Sequence, residues 1–243
     1  MARGHTLGLT NAADGFSFEA YHVAPQDARH GGLVLIQEIF GVTDAIRALC
    51  DGFAEDGYEV IAPSLYDRLK PAHVRADDSQ YPAHPREGGD ERAYDAVAEA
   101  LRLSQQTPWD QVEGDLNAAI AALQGPVFVT GYCWGGTAAW LAACRCPGVV
   151  AASCFYGRRI PELLSETPRC PTILHFGKTD ASIPPETVEQ IGAAHPDLPI
   201  YLYPAGHGFA SERSADHHPD SARLGRLRTL QLFQRASGTR GEL

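Results

Sequence analysis

Four side chains in this sequence have the types and the spacing for acyl-transfer chemistry: Cys133, Asp180, His207 and Glu38. Cys133 stands in Val127-Phe-Val-Thr-Gly-Tyr-Cys-Trp-Gly-Gly136, where a short apolar run meets a glycine-flanked turn and a second apolar run, Thr137 to Ala143, follows. This is the pattern of a strand, a sharp turn and a helix, with Gly131 and Gly135 where a crowded backbone leaves no room for a Cβ. A residue at the apex of such a turn is exposed and strained, as in the Gly-x-nucleophile-x-Gly elbow, with sulfur here in place of a serine oxygen. A thiolate is intrinsically more nucleophilic than an alkoxide and forms at lower pH. The helix beyond Gly135 points its N-terminus at the sulfur and favours the anion. The competing reading is a structural turn around a small buried thiol.

His207 lies in Ala-Gly-His-Gly-Phe, directly after an apolar run, with glycines on both sides that free the imidazole. Of the ten histidines it alone has that setting; His175, inside a strand pattern, reads as core. Asp180 follows the preceding strand pattern. A carboxylate there can accept the Nδ1 proton of His207 and turn Nε2 toward the nucleophile; its bland reading is a turn residue. The backbone N–H of Trp134 and that of Ile39, in the loop after another strand, are placed to receive an oxyanion. Glu38 ends that strand, where a carboxylate is unfavourable without a partner. It reads either as a salt-bridged surface group or as the group that takes the thiol proton. Arg158 and Arg159 follow a further strand, after Tyr156, and face either solvent or the same mouth.

These groups need a frame that gathers strand ends. Residues 16–23 alternate and predict an early antiparallel strand. Gly31-Gly32 reads as a turn, and 33–36 as a central parallel strand buried on both faces. Helical spacing covers 44–56, with Thr43 as N-cap and Gly57 as C-cap. Further strands are expected at 58–62, 127–131, 149–155, 172–176 and 199–203. Helices are expected over 91–123, broken near Thr107-Pro108, at 185–195, and at 218–235 with Leu224, Leu227, Leu230 and Phe233 on one side. Residues 63–90, rich in Pro, Asp, His and Arg, read as a long lip over the site. Alternating strands and helices give an α/β fold with a mostly parallel central sheet covered by helices on both faces. Ligands of such sheets sit beyond the carboxyl ends of the strands.

The 243 residues suit one domain, 1–243, without a large cap. A net charge of −10 argues against nucleic acid or an anionic membrane as partner. The first residues show no signal-peptide pattern and no run spans a bilayer, so a cytoplasmic protein is expected. The six cysteines form no spaced framework and read as free thiols; Cys144-Arg-Cys146 lacks a matching metal pair.

Gln37-Glu38-Ile39-Phe40-Gly41-Val42, Gly131-Tyr132-Cys133-Trp134-Gly135-Gly136, the Asp180 loop and Ala205-Gly206-His207-Gly208-Phe209-Ala210 together resemble the dienelactone hydrolase (carboxymethylenebutenolidase) family, over about 30–236. The order nucleophile, acid, histidine is that of the α/β-hydrolase fold. The resemblance implies a triad of Cys133, Asp180 and His207, and hydrolysis of an enol-lactone, dienelactone, to maleylacetate in chloroaromatic breakdown. It implies an acyl-thioester, an enolate leaving group and a Glu38 that holds and activates the resting thiol. It implies no metal and no organic cofactor. Family members grip the substrate carboxylate with two arginines. Here the arginine position shortly after the histidine is taken by Ser211, with Arg213 two residues later, and the nearest upstream match is Arg92, close to Tyr94. Tyr156, Arg158 and Arg159 are further candidates for the substrate mouth. The expected partner is a small lactone or ester, anionic if the arginines serve, and the assembly a monomer or small homo-oligomer. A general carboxylesterase or thioesterase with a changed pocket stays open, as does a non-catalytic redox-sensing thiol protein.

Overall fold

The apolar runs of the sequence pair side by side. The computed structural model describes residues 3–71 and 91–238, with the side chains of the second stretch described from residue 95 onward. Its strands are β1 (His5–Thr10), β2 (Ser17–Val23), β3 (Gly31–Ile36), β4 (Tyr58–Pro63), β5 (Val127–Tyr132), β6 (Val149–Phe155), β7 (Thr172–Gly177) and β8 (Ile200–Tyr203). Its helices are α1 (Asp44–Glu55), α2 (Glu91–Gln106), α3 (Trp109–Ala121), α4 (Trp134–Arg145), α5 (Pro185–Ala194) and α6 (Pro219–Ala236). The strands form one sheet in the order β1-β2-β4-β3-β5-β6-β7-β8. β1 and β2 run antiparallel, as do β2 and β4; every other pairing is parallel. β3 and β5, buried at every position, lie at the centre. No large cap domain is present among the described residues, and none of their helices is long and apolar enough to cross a membrane.

The sheet is covered on both faces because β3 and β5 carry apolar groups on both. Phe128 stacks on Phe233 of α6 at 4.6 Å, while on the opposite face Gly32 lies against Leu123 beyond α3. The chain leaves β3 toward β4 on one side, then returns to place β5 on the other side of β3. Loops from the carboxyl ends of β3 and β5 therefore part there and leave a crevice.

Three sequence expectations change. β1 was not foreseen: His5-Thr-Leu-Gly-Leu-Thr10 is mostly exposed, so it lacks an apolar run, and it forms because it pairs with β2. Gly31-Gly32 is strand rather than turn, because its backbone pairs with β4 and Pro126. The inner side of α6 is not the leucine row. Leu224 and Leu227 are exposed, and Ser221, Gly225, Thr229 and Phe233 face the sheet. Gly225 admits the edge of Phe155, and Thr229 meets Ser153 at 2.7 Å. Ser153 in turn meets Nε2 of His175, whose Nδ1 lies 2.7 Å from the Tyr203 hydroxyl. Burial lowers the His175 pKa to about 3, so the ring is neutral and fully engaged. At α1, Thr43 holds the N-cap position without a side-chain cap bond, and the C-cap is Asp56 rather than Gly57, which follows it in the left-handed region at φ +88°. Of the expected lip, residues 72–90 lie outside the described residues.

Candidate active site

The elbow is held by close backbone approach. The start of α4 is pressed between the ends of β3 and β6. A Cβ on Gly135 would meet the Gln37 carbonyl oxygen at 2.3 Å, and one on Gly136 the Phe155 carbonyl oxygen at 2.1 Å. The Cys133 amide donates to Phe155 at 3.0 Å. Cys133 itself is forced to φ 57° and ψ −117°. This is the mirror image of ordinary extended backbone, and a side chain there is strained by about 1–3 kcal/mol. The turn lifts the sulfur into a cavity of about 370 Å³ beyond the carboxyl ends of the central strands.

There it meets the other two predicted groups. His207 Nε2 lies 3.2 Å from Cys133 Sγ, and its Nδ1 lies 2.7 Å from Asp180 Oδ2. Asp180 is buried, and its second oxygen accepts from the backbone N–H and the hydroxyl of Ser182 at 2.8 and 2.7 Å. Burial alone would raise the Asp180 pKa, but the His207 hydrogen bond and charge and the two Ser182 bonds outweigh it and hold the carboxyl below its usual range. Burial likewise opposes the imidazolium. The negative sulfur of Cys133 and the Asp180 hydrogen bond outweigh it and raise the His207 pKa to about 10. Ser182 was not singled out from the sequence. Its signal was present in Asp-Ala-Ser, a short turn in which an aspartate accepts from the residue two positions on.

Ile39 and Trp134 line the same cavity, and Trp134 opens α4, where backbone N–H groups have no partner within the helix. Glu38 sits beside it: the Tyr156 hydroxyl donates to its Oε1 at 3.5 Å. Tyr156 is fully buried behind the site, its ring edge-on to His207 at 5.1 Å. Burial first, then the Glu38 charge, push its phenol well up, so it stays a donor.

The arginines divide. Arg158 is exposed at the cavity rim. Arg159 also lines the cavity, but its guanidinium makes two 2.8 Å bonds to Glu162 and packs over Trp109. Ser211 lies elsewhere, in a cleft with Leu49 and Arg226, and Arg213 lies outside the cavity lining. In their stead the segment after His207 brings Ser214, Ala215 and Asp216 to the cavity. The side chains of Arg92 and Tyr94 lie outside the described residues. Among the described residues no group of three or more His, Cys, Asp or Glu is arranged to hold a metal ion.

A model of the dienelactone hydrolase family matches residues 18–237. The chain belongs to the dienelactone hydrolase family. A Salmonella typhimurium protein provisionally named a carboxymethylenebutenolidase is 31% identical over 261 aligned positions, covering 97% of this chain and 90% of the relative. An Escherichia coli (strain K12) protein with the same provisional name is 31% identical over 249 positions, covering 93% and 85%. A crystal structure from Klebsiella pneumoniae subsp. pneumoniae, described provisionally as a dienelactone hydrolase, superposes with a TM-score of 0.76 at 28% identity over 96% of this chain and 99% of that one. Membership in the dienelactone hydrolase family makes the chain a hydrolase of the lactone and ester type.

Proposed function

We propose that this dienelactone hydrolase family member cleaves small esters or lactones through Cys133, with His207 and Asp180 completing a triad and an acyl-thioester as intermediate. The single observation that carries this reading is the unbroken chain from Sγ to Nε2 at 3.2 Å and from Nδ1 to Oδ2 at 2.7 Å. In the first step the sulfur anion adds to the carbonyl carbon. A C–S bond forms and the carbonyl pair moves onto an oxygen facing the Trp134 and Ile39 amides. Collapse breaks the C–O bond, and the leaving oxygen takes the Nε2 proton. Neutral His207 then draws a proton from water, the hydroxide adds to the acyl carbon, and the C–S bond breaks. The acid leaves, and the sulfur anion and the imidazolium are restored. We assign Glu38 to accept the thiol proton whenever Cys133 is protonated, which returns the sulfur to the anion that begins each cycle; Tyr156 orients its carboxylate, and their 3.5 Å contact beside the His207 ring supports this.

The direct test is turnover of an activated aryl ester during stepwise alkylation with iodoacetamide. Activity should fall in proportion to Cys133 modification. A fully reactive Cys133 in a protein that turns over no ester or lactone would instead favour a sensing thiol.

The pH profile gives a second expectation. A histidine whose proton is held up to about 10 donates to the leaving group throughout the neutral range. The alkaline limb of kcat/KM should therefore turn down near pH 10, not near 7, when His207 loses its proton. A pH–rate series on a stable aryl ester reads this directly, and a midpoint near 6.5 would contradict it.

A further inference from the structure

Resting on the triad reading above, we infer that Val97 and Leu101 of α2 form the seat for an aliphatic acyl chain, so that this enzyme selects among esters by the length of that chain. The triad sets the direction. The leaving oxygen must reach Nε2 of His207, so the alcohol side of an open ester lies with His207, Ser182 and Ser214. The oxyanion takes the Trp134 and Ile39 side. The remaining substituent on the carbonyl carbon, the acyl chain, points away from His207. The cavity wall left for it is α2, where Val97, Leu101 and Ser104 recur at helical spacing.

That wall is apolar in effect. Val97 and Leu101 are half-buried at the cavity, while Ala100 and Leu103 turn to the core. The Ser104 hydroxyl donates to the Leu101 carbonyl at 2.8 Å, so its proton is spent within the helix. Behind it, the Thr137 hydroxyl accepts from the Arg159 amide at 3.1 Å. Arg159 is committed to Glu162 and also reaches the Ser104 carbonyl at 3.4 Å, tying the end of α2 to the loop after β6.

The test uses the full chain and aryl esters of one phenol. From acetate to butyrate, kcat/KM should rise about fourfold per methylene, the value of one buried CH₂. Leu101→Trp should lower the butyrate ester about tenfold and spare the acetate ester, the expected size of a pocket contact. Val97→Trp is the second variant in case the first does not fold, and the rate of Cys133 alkylation reports an intact site in both. A flat chain-length profile in the parent, or the same profile in parent and variants, overturns the inference. If the parent turns over no ester at all, the triad reading fails first; turnover without chain-length selectivity removes the acyl seat alone.

Discussion

Replacing Cys133 by glycine should yield a protein that is inactive and yet more stable than the alanine variant. Turnover should fall by about 10⁴-fold or more in both, the scale seen when a triad nucleophile is removed. Stability should separate them. Alanine keeps a side chain at φ 57° and ψ −117°, whereas glycine adopts the mirror of extended backbone freely. Relief of about 1–3 kcal/mol of strain, set against about 0.5–1 kcal/mol of extra chain entropy for glycine, leaves Cys133→Gly above Cys133→Ala by about 1 kcal/mol, within a span of about 0–2.5 kcal/mol. Urea unfolding of the two variants measures the difference. Equal midpoints would mean that the elbow stores no more strain than the roughly 0.5–1 kcal/mol that glycine's chain entropy offsets, and full activity in either variant would remove Cys133 from the chemistry.

The second large effect lies one turn of chain away and concerns folding. Gly131→Ala would place a Cβ at 2.0 Å from the carbonyl oxygen of Gly135 and 2.5 Å from its carbon. Both partners are backbone, one in a central strand and the other in the first turn of α4, so no side-chain rotation relieves the overlap. A loss of about 4 kcal/mol or more is expected, at the extreme of single substitutions. For a domain stable by about 5–15 kcal/mol this lowers the yield of folded protein visibly. Gly8→Ala is the matched control, because nothing lies within 4 Å of the Cβ it would add on β1. Its unfolding midpoint should stay close to that of the parent. A Gly131→Ala protein with the parent's midpoint would show that the elbow is looser than its backbone contacts imply.

The elbow was legible in the sequence because its requirements are local. Two glycines bracket Cys133 where two backbones come within van der Waals contact, and the flanking runs have distinct periods. His207 was legible for a similar reason, as an imidazole framed by glycines after a strand. The polar lining was less so. Ser211 follows His207 closely in sequence, yet it lies in another cleft, because the chain folds back through Ser214 to Asp216 before α6 begins. Arg159 had the type of a substrate clamp, but the ring of Trp109 from α3 and the carboxylate of Glu162, three residues further along its own turn, occupy it. Nothing in a linear string says which of two neighbouring arginines a ring far back in the chain will take.

What the sequence determined by itself was the alternation of strand and helix, the tight turn at Cys133 and the identity of three groups that follow strand ends. Those features follow from short-range sterics and periodicity. Which face of α6 is inward, that β1 joins the sheet, and that sulfur, imidazole and carboxylate lie in line were settled only by tertiary structure. A helix buries the side that fits: Gly225 and Thr229 go inward because Phe155 and Ser153 approach there, leaving more apolar leucines in water. The reason is general to this molecule: close packing and buried hydrogen bonds are matched between residues far apart in the chain, and hydrophobicity alone does not rank them.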